Sequence, residues 1–283
     1  MTRKRLGFFT RLLDDAPAKE RYRLATEQIR HAERYGFDTA WIAQHHFHEH
    51  EGGLPSPLVF LAHVAAYTTR IRLGTAIITL PLENPLRVAE DTAVLDLLAD
   101  GRLEIGFGSG GTPTSFLPFG LTINERAATF ADHLHLINSA WRGDSLTHPD
   151  NHLYPPAPGL TERVWIATFS IDGAIRAARQ GHGLMLSRTQ PRPADDLFLP
   201  LDAIQNPIID AYLDALPSGV APRILASRTA FVADSDAYAL RVAEPGLTQQ
   251  AQQHQAAGHA LIGGTVTDYI RQFNAHIGAP QTV

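Results

Sequence analysis

Short apolar segments alternate with amphipathic helical segments along this chain, and this alternation constrains the fold more than any other feature. The predicted strands are residues 4–10, 39–43, 71–79, 102–107, 164–168, 183–187, 223–232 and 260–262, and each precedes a predicted helix. Strands that alternate with helices form parallel sheets. Eight such units are the number in a closed barrel, whereas a doubly wound sheet usually has about five or six strands. We therefore predict an α/β fold, a TIM (β/α)8 barrel, formed by residues 1–283 as a single domain.

Composition restricts the function further. Hydrophobic residues make up 44% of the chain, charged residues 19%, and the net charge is -5, so we expect a globular protein with no nucleic-acid partner. No apolar run reaches the roughly 18 residues of a membrane helix, and the segment MTRKRLGFF lacks a signal-peptide core. We expect no membrane contact and a cytoplasmic location. The absence of cysteine leaves histidine, carboxylates, hydroxyls or a bound cofactor to supply any chemistry.

Residues 38–51, DTAWIAQHHFHEHE, form the first candidate site. The predicted strand 39–43 runs into His45 and His46, and the carboxyl ends of parallel strands are where α/β folds place their active sites. Adjacent residues on an extended segment point to opposite sides, so at most one of the two imidazoles faces a barrel mouth. The cluster lacks the HExxH spacing of a zinc helix, and we expect no metal site. A structural role for both histidines is the alternative.

A glycine-rich segment, residues 106–111, follows the fourth predicted strand. A dinucleotide fingerprint would require the first strand and a helix that starts within the glycines, whereas Pro113 and Pro118 keep this segment irregular. The glycines favour a loop whose backbone approaches a flat or anionic ligand closely, and simple turn formation is the alternative.

Three segments together carry a family resemblance. They are AWIAQHHF, LGTAIITLPLENPLRVAEDTAVLDLLADGRLEIGFGSG and NERAATF, and VWIATFS and GLMLS extend the similarity to Ser187. They resemble the bacterial luciferase-like, flavin-dependent monooxygenase family. The resemblance implies a barrel that binds reduced FMN at its C-terminal mouth, where oxygen adds to the flavin and the resulting peroxide oxygenates a small organic substrate. It also implies a homodimer that associates through the helices at 58–69 and 85–98. Because no nicotinamide fingerprint is found, we expect a separate flavin reductase to supply FMNH2.

The resemblance assigns roles to individual residues. His45 matches the catalytic histidine, which assists proton transfer at the flavin peroxide. The implied cofactor-binding residues are Gln44, Ala76, Ile77, Gly108, Ser109, Arg126, Thr168, Phe169, Ser170 and Ser187. Gln44 stands where the family usually has glutamate, and Ala76 and Ile77 match a non-prolyl cis peptide under the flavin ring. Arg126 matches a phosphate ligand, and residues 168–170 match an anion site at a helix N-terminus. Gly108 and Ser109 replace a Cys-Arg pair of luciferase, which removes one cationic phosphate ligand. The region from 188 to 210 contains no long lid insertion.

Two alternative functions remain open on the same fold. One is a deazaflavin (F420)-dependent oxidoreductase that transfers hydride, and the other is a flavin-binding protein without catalysis. Titration with FMN and F420 separates the first alternative from the monooxygenase. The second would bind flavin but yield only hydrogen peroxide with reduced FMN.

Overall fold

The computed structural model describes residues 4–193, 196, 199–228, 230 and 232–256. These residues form two compact units. The first contains the described residues up to Met185 together with Ala211–Leu225, and the second contains those of Leu186–Asp210 and those from Ala226 onward. Of the predicted site residues, Ser187 lies in the second unit and the others lie in the first. The single domain over residues 1–283 stays a prediction.

The strands form a sheet whose order follows the chain. They are β1 Gly7–Thr10, β2 Thr39–Ile42, β3 Arg72–Thr75, β4 Ile78–Thr79, β5 Leu103–Gly108, β6 Val164–Ala167, β7 Gly183–Leu186 and β8 Ile224–Ala226. The order is β1-β2-β3-β5-β6-β7-β8, with β4 beside β5. The pairings from β1 through β7 are all parallel. The predicted α/β fold with a parallel sheet is therefore confirmed for the first six predicted strands, and β8, which lies within the seventh, belongs to the same sheet. The eighth, at 260–262, and the last helix, at 266–276, lie outside the described residues.

Helices connect successive strands, as the alternation predicts. They are α1 Ala18–Arg34, α2 Pro57–Ala65, α3 Pro85–Leu98, α4 Arg126–Arg142, α5 Ile171–Arg179, α6 Leu201–Ala215 and α7 Asp236–Ala256. Helices α2 and α3 begin with proline, whose fixed φ suits the first helical position. The Asn84 side chain caps α3 by accepting from the backbone N–H groups of Leu86 and Arg87. No helix among the described residues is both long and apolar enough to cross a membrane.

The predicted third strand, 71–79, is divided into β3 and β4. The division falls at the peptide bond between Ala76 and Ile77, which is cis. The cis bond that the family resemblance implied at this position is thus present. Ala76 and Ile77 are half-buried, whereas Thr75 and Ile78 on either side are buried.

Two tryptophans pack edge to face inside the sheet of the first unit. Trp41 of β2 and Trp165 of β6 have ring centroids 5.6 Å apart at 83°. Each ring lies over a glycine of the neighbouring strand: a Cβ on Gly74 would lie 2.3 Å from Trp41, and one on Gly183 would lie 2.4 Å from Trp165. Met185 belongs to the same buried cluster. The glycines therefore provide the space that the indole rings occupy.

Candidate active site

The carboxyl ends of five strands, β2 to β6, lie at one edge of the sheet. The parallel registers pair Ile42 with Thr75, Thr79 with Gly108, and Phe107 with Ile166. The ends of these strands and the segments that follow them contain the predicted site residues from Gln44 to Ser170, except Arg126. Backbone bonds join the first two ends, because Ala76 N donates to Ile42 O (2.7 Å) and Gln44 N donates to Ile77 O (3.3 Å). The sheet thus brings the histidine segment beside the cis peptide.

A half-exposed apolar surface lies at this edge. Ala76, Ile77 and Ala167 are half-buried and pack against the buried cluster of Trp41, Trp165 and Met185. We call these three residues the apolar platform. Gly108 adjoins the platform so closely that a Cβ there would lie 2.9 Å from Ile77 Cδ1. Because glycine has no side chain, nothing projects from this position beside Ile77, and a planar ring could lie on the platform.

His45 is the titratable side chain beside this edge. Its imidazole is half-buried, and its Nδ1 lies 3.6 Å from Glu51 Oε2. Burial lowers the pKa of His45, the positive charge of Arg11 lowers it further, and the carboxylate of Glu51 acts in the opposite direction. Because the net effect is a lowered pKa, His45 is mostly neutral at pH 7 and can accept a proton.

His46 contacts a different part of the protein. Its ring packs edge to face on Phe119, with centroids 5.0 Å apart at 72°. Its Nε2 is buried and has no hydrogen-bond partner among the described residues. Burial lowers the pKa of His46, which keeps the ring neutral. The two adjacent histidines therefore lie in separate environments.

Gln44 is committed to hydrogen bonds within the protein. Its Nε2 donates to Pro55 O (3.0 Å) and to Glu83 Oε1 (2.5 Å), and its Oε1 accepts from Thr79 N (2.7 Å). The side chain is buried, and both amide hydrogens are used. Burial raises the pKa of Glu83, and the bond from Gln44 opposes this rise. Gln44 joins the ends of β2 and β4 to the segment before α3, and its role in binding the cofactor stays a prediction.

The N-terminus of α5 has the predicted form. Ser170 Oγ caps the helix by accepting from Gly173 N (3.1 Å), and Thr168 Oγ1 accepts from Ser170 N (3.1 Å). Gly173 is required here, because a Cβ would lie 2.0 Å from Thr168 Oγ1. Phe169 is 54% exposed. Backbone N–H groups at this end favour an anion, although the carboxylate of Asp172 in the first turn opposes one.

Arg126 is the first residue of α4 and is half-buried. Within the part of the chain that the structure describes, its guanidinium makes no hydrogen bond or salt bridge. Ser109 is half-buried in the glycine-rich segment. An uncommitted guanidinium is available for an anionic ligand, and binding of phosphate by Arg126 stays a prediction.

Ser187 belongs to the second unit and follows β7. Its Oγ lies 2.8 Å from Thr189 Oγ1 and accepts from Thr189 N (3.1 Å), and its backbone oxygen accepts from Gln205 Nε2 (3.0 Å). Its position near the flavin stays a prediction. As for metals, no group of three or more histidine or carboxylate side chains placed to hold an ion occurs among the described residues.

Comparison with known proteins identifies the family. The sequence model of the family described as luciferase-like monooxygenase matches residues 6–283 of this chain. The chain belongs to this family. The resemblance found in its motifs is therefore confirmed.

Curated relatives of this luciferase-like protein match only part of their length. Protein y4vJ of Sinorhizobium fredii is 38% identical over 173 residues, which cover 58% of this chain and 49% of y4vJ. Limonene 1,2-monooxygenase of Rhodococcus erythropolis is 28% identical over 176 residues, 58% of this chain and 44% of the relative. The chain thus spans about half the length of the curated relatives it matches.

Solved structures share the fold of this luciferase-like protein over most of both chains. Monooxygenase RslO1 from Streptomyces bottropensis has a TM-score of 0.73 at 25% identity and covers 95% of this chain and 82% of its own. A second structure is the oxygenating constituent of 3,6-diketocamphane monooxygenase from Pseudomonas putida in complex with FMN. Its TM-score is 0.74 at 17% identity, and the match covers 99% of this chain and 81% of that one. The coenzyme F420-dependent tetrahydromethanopterin reductase from Methanopyrus kandleri has a TM-score of 0.61 at 17% identity, with 96% and 83% covered. The last two show a common fold.

Sequence reasoning missed Thr112 and Glu83 of this luciferase-like site, and it included Glu51 in the candidate segment 38–51 without giving it a role. Glu51 lies beside His45, Thr112 Oγ1 donates to Glu51 Oε2 (2.9 Å), and Glu83 accepts from Gln44. A charged residue in the apolar run LPLENP was a signal for Glu83. The contact between Glu51 and Thr112 had no local signal, because 61 residues separate them.

Proposed function

We propose that this chain is the oxygenating component of a two-component monooxygenase that uses FMNH2 and O2 to oxygenate a small organic substrate. The observation that carries the proposal is the apolar platform of Ala76, Ile77 and Ala167, with the segment that holds His45 bonded beside it. A platform backed by two buried indole rings gives an isoalloxazine ring a flat apolar support. When bound, reduced flavin would supply the electrons for oxygen activation.

The residues of this chain contribute binding and proton transfer. Ala76, Ile77 and Ala167 would support the ring, and the low profile of Gly108 would let it lie close to the backbone. Arg126 would bind the phosphate with its uncommitted guanidinium. His45, neutral at pH 7 because its pKa is lowered, would move a proton at the reacting centre.

The test is reconstitution with a separate flavin reductase that supplies FMNH2. Oxygen consumption, hydrogen peroxide and organic products are measured over a panel of aldehydes, ketones, aromatic rings and sulfur compounds. We expect an oxygenated product with at least one class. Hydrogen peroxide alone with every class would support the non-catalytic flavin-binding alternative. Parallel titrations compare FMN with F420, and tight F420 binding with hydride transfer would replace the proposal with the deazaflavin-dependent alternative.

Arg126 provides a second test of the cofactor. A bidentate contact between charged groups contributes about 1.5–3 kcal/mol, so we expect Arg126→Ala to weaken FMN binding roughly tenfold to a hundredfold and to leave riboflavin binding almost unchanged. Arg142→Ala, at the other end of α4, is the control and should leave both affinities unchanged. Equal losses for FMN and riboflavin in Arg126→Ala would show that Arg126 supports the fold.

We also propose that the sheet closes as an eight-stranded TIM barrel. Support comes from the strand order β1-β2-β3-β5-β6-β7-β8, with parallel pairing from β1 through β7 and a helix after most strands, and from the chain's membership of the family. A crystal structure in which the segment 260–262 pairs with β1 would establish the closure. A strand at 260–262 that pairs elsewhere would contradict it.

A further inference from the structure

The loop after β2 surrounds the imidazole of His45. Glu51 Oε2 lies 3.6 Å from Nδ1, and Leu54 O accepts from the backbone N–H of His45 (2.9 Å). Gly52 approaches the ring so closely that a Cβ there would lie 2.3 Å from Cδ2 and 2.8 Å from Cγ. Three successive parts of one loop therefore define where the ring lies and leave its Nδ1 side turned toward a carboxylate.

Glu51 is itself held by neighbouring loops. Thr112, in the loop after β5, donates its hydroxyl to the same oxygen, Oε2, at 2.9 Å. On the other side, Gly53 N donates to Arg11 O (2.9 Å), and a Cβ on Gly53 would lie 2.6 Å from Leu12 O. The loop is thus anchored at the ends of two strands. A carboxylate held in this way can orient a partner, because its own position is determined independently of that partner.

We propose that Glu51, oriented by Thr112, is a positioning residue for His45: it accepts from the Nδ1–H and leaves Nε2 as the nitrogen that exchanges a proton during the reaction. The tautomer of an imidazole is set by the hydrogen bond that its other nitrogen makes. The 3.6 Å separation is longer than the usual 2.7–3.2 Å of a hydrogen bond, and such contacts shorten when a ligand fills the site. This inference rests on the proposed oxygenase function only for the identity of the group that exchanges a proton with Nε2.

Among the described residues, Arg11, His46 and Glu51 are the charged or titratable groups that act on His45. Arg11, at the end of β1, and the adjacent His46 lower its pKa, whereas Glu51 raises it. The effects of burial and of Arg11 exceed that of Glu51, so the net pKa is lowered. Removal of the Glu51 carboxylate should therefore lower the pKa of His45 further, and this direction differs from the effect of exposing the ring by unfolding.

The first experiment uses the protein without cofactor. Long-range 1H–15N spectra report the tautomer and the titration midpoint of each imidazole, and the signal lost in His45→Gln assigns His45. We expect wild-type protein to carry the proton on Nδ1. Glu51→Ala should give mixed tautomers and a lower midpoint. Glu51→Gln should keep the tautomer, because an amide oxygen still accepts, and should lower the midpoint because the charge is lost.

A matched control lies in the same pair of loops. His48 Nε2 contacts Thr114 Oγ1 at 2.9 Å, which also joins the loop after β2 to the loop after β5. Thr114→Val removes this contact without touching Glu51, and it should leave the His45 tautomer and midpoint at their wild-type values. Thr112→Val should shift the tautomer ratio in the same direction as Glu51→Ala. A wild-type tautomer and midpoint in folded Glu51→Gln and Glu51→Ala would overturn the proposal.

The second experiment measures turnover in the reconstituted enzyme. A misplaced tautomer slows proton transfer, so Glu51→Ala should lower the rate roughly tenfold or more while the affinity for FMN is kept. In Glu51→Gln the acid limb of the pH–rate profile should move to lower pH, following the lowered midpoint of the base. Failure of wild-type protein to oxygenate any substrate would refute the proposed function alone, since the spectra need no cofactor. An active wild type with an unaltered His45 in both Glu51 variants would refute the positioning role alone.

Discussion

His45 and His46 are neighbours in the chain but contact different elements. His45 lies against Glu51 and Gly52, at the edge where the apolar platform is half-exposed, whereas His46 packs on Phe119. A residue that transfers protons and a residue that fills space respond differently to truncation. The two substitutions to alanine therefore separate catalysis from stability at adjacent positions.

We predict opposite results for the two truncations. His45→Ala should lower the oxygenation rate roughly a hundredfold to ten-thousandfold, the range of a lost general acid or base, and should change FMN affinity much less. His46→Ala should lower the melting temperature, because the ring that packs on Phe119 is removed, while turnover per folded molecule is nearly preserved. Product assays and thermal melts are run on both proteins. Full turnover of His45→Ala with a normal flavin complex would show that the proposed role of His45 is wrong.

His182 makes the stability of the protein depend on pH. It is buried just before β7, its Nδ1 has no hydrogen-bond partner among the described residues, and burial lowers its pKa to about 4, with a further contribution from the charge of Arg223. The unfolded chain titrates near the ordinary value of 6.5. Between these values only the unfolded state binds the proton, so stability is complete above pH about 6.5 and falls as the pH falls toward about 4.

We predict that His182→Leu flattens this dependence. In wild-type protein, His182 lowers the free energy of unfolding by about 3 kcal/mol between pH 6.5 and 4. This follows because a pKa difference of one unit corresponds to about 1.4 kcal/mol. Urea unfolding at a series of pH values measures the slope. His45 and His46, whose pKa values burial also lowers, keep part of the slope. His135→Leu, at an exposed position of α4, is the control, and an equally flattened slope in that variant would contradict the assignment.

At the scale of secondary structure elements, glycines determine how the strands accommodate the indole rings. Trp165 is held on several sides: its Nε1 donates to Glu104 Oε2 (2.7 Å), and the guanidinium of Arg223 lies 5.0 Å from a ring centroid. The ring therefore has little freedom to move away from Gly183 of the neighbouring strand β7. Any side chain at Gly183 must displace either the ring or the strand.

We predict that Gly183→Ala destabilises the protein by about 1–3 kcal/mol, the usual cost of an additional methyl group in a packed interior. Chemical denaturation measures the change. The control is Gly111→Ala, because no atom of the residues that the structure describes lies within 4 Å of the position that its Cβ would take. A variant at Gly183 as stable as the Gly111 control would show that Trp165 can move.

At the scale of the whole molecule, α2 and α3 present an exposed apolar surface. Val94, Leu97 and Leu98 lie on one face of α3 at positions i, i+3 and i+4, and Leu97 is 63% and Leu98 61% exposed. Val59 on the neighbouring α2 is 74% exposed. Apolar side chains grouped on adjacent helices are typical of a protein–protein interface. This surface is our proposed site of homodimer formation.

We predict a homodimer at micromolar concentration and its dissociation by Val94→Glu combined with Leu97→Glu, because carboxylates cannot be buried unpaired in an apolar interface. Light scattering coupled to size-exclusion chromatography gives the mass of both proteins. Tyr154→Glu, at a position 85% exposed in the loop after α4, is the control and should leave the mass unchanged. A wild-type mass equal to that of one chain would contradict the interface.

The sequence by itself determined the α/β class and the order of strands. Local periodicity and β-branched content depend on residues close together in the chain, so the segments at 39–43 and 102–107 could be assigned to strands without knowledge of their partners. Motif order identified the family and located His45 and the Ala76–Ile77 peptide. The division of segment 71–79 into β3 and β4 was not predicted from its composition, because its residues have strand propensity throughout.

Only the tertiary structure decided which polar side chains meet. Gln44 appeared in the sequence as a cofactor ligand, and its contacts with Glu83 and Thr79 depend on how β2 and β4 lie together. The contact of Glu51 with Thr112 joins loops that are 61 residues apart and requires the ends of β2 and β5 to meet at the same edge of the sheet. Such pairs depend on strand register and loop path, which are set by packing of the whole unit. The sequence therefore located the histidine that we propose as catalytic, and the tertiary structure supplied the carboxylate that orients it in our proposal.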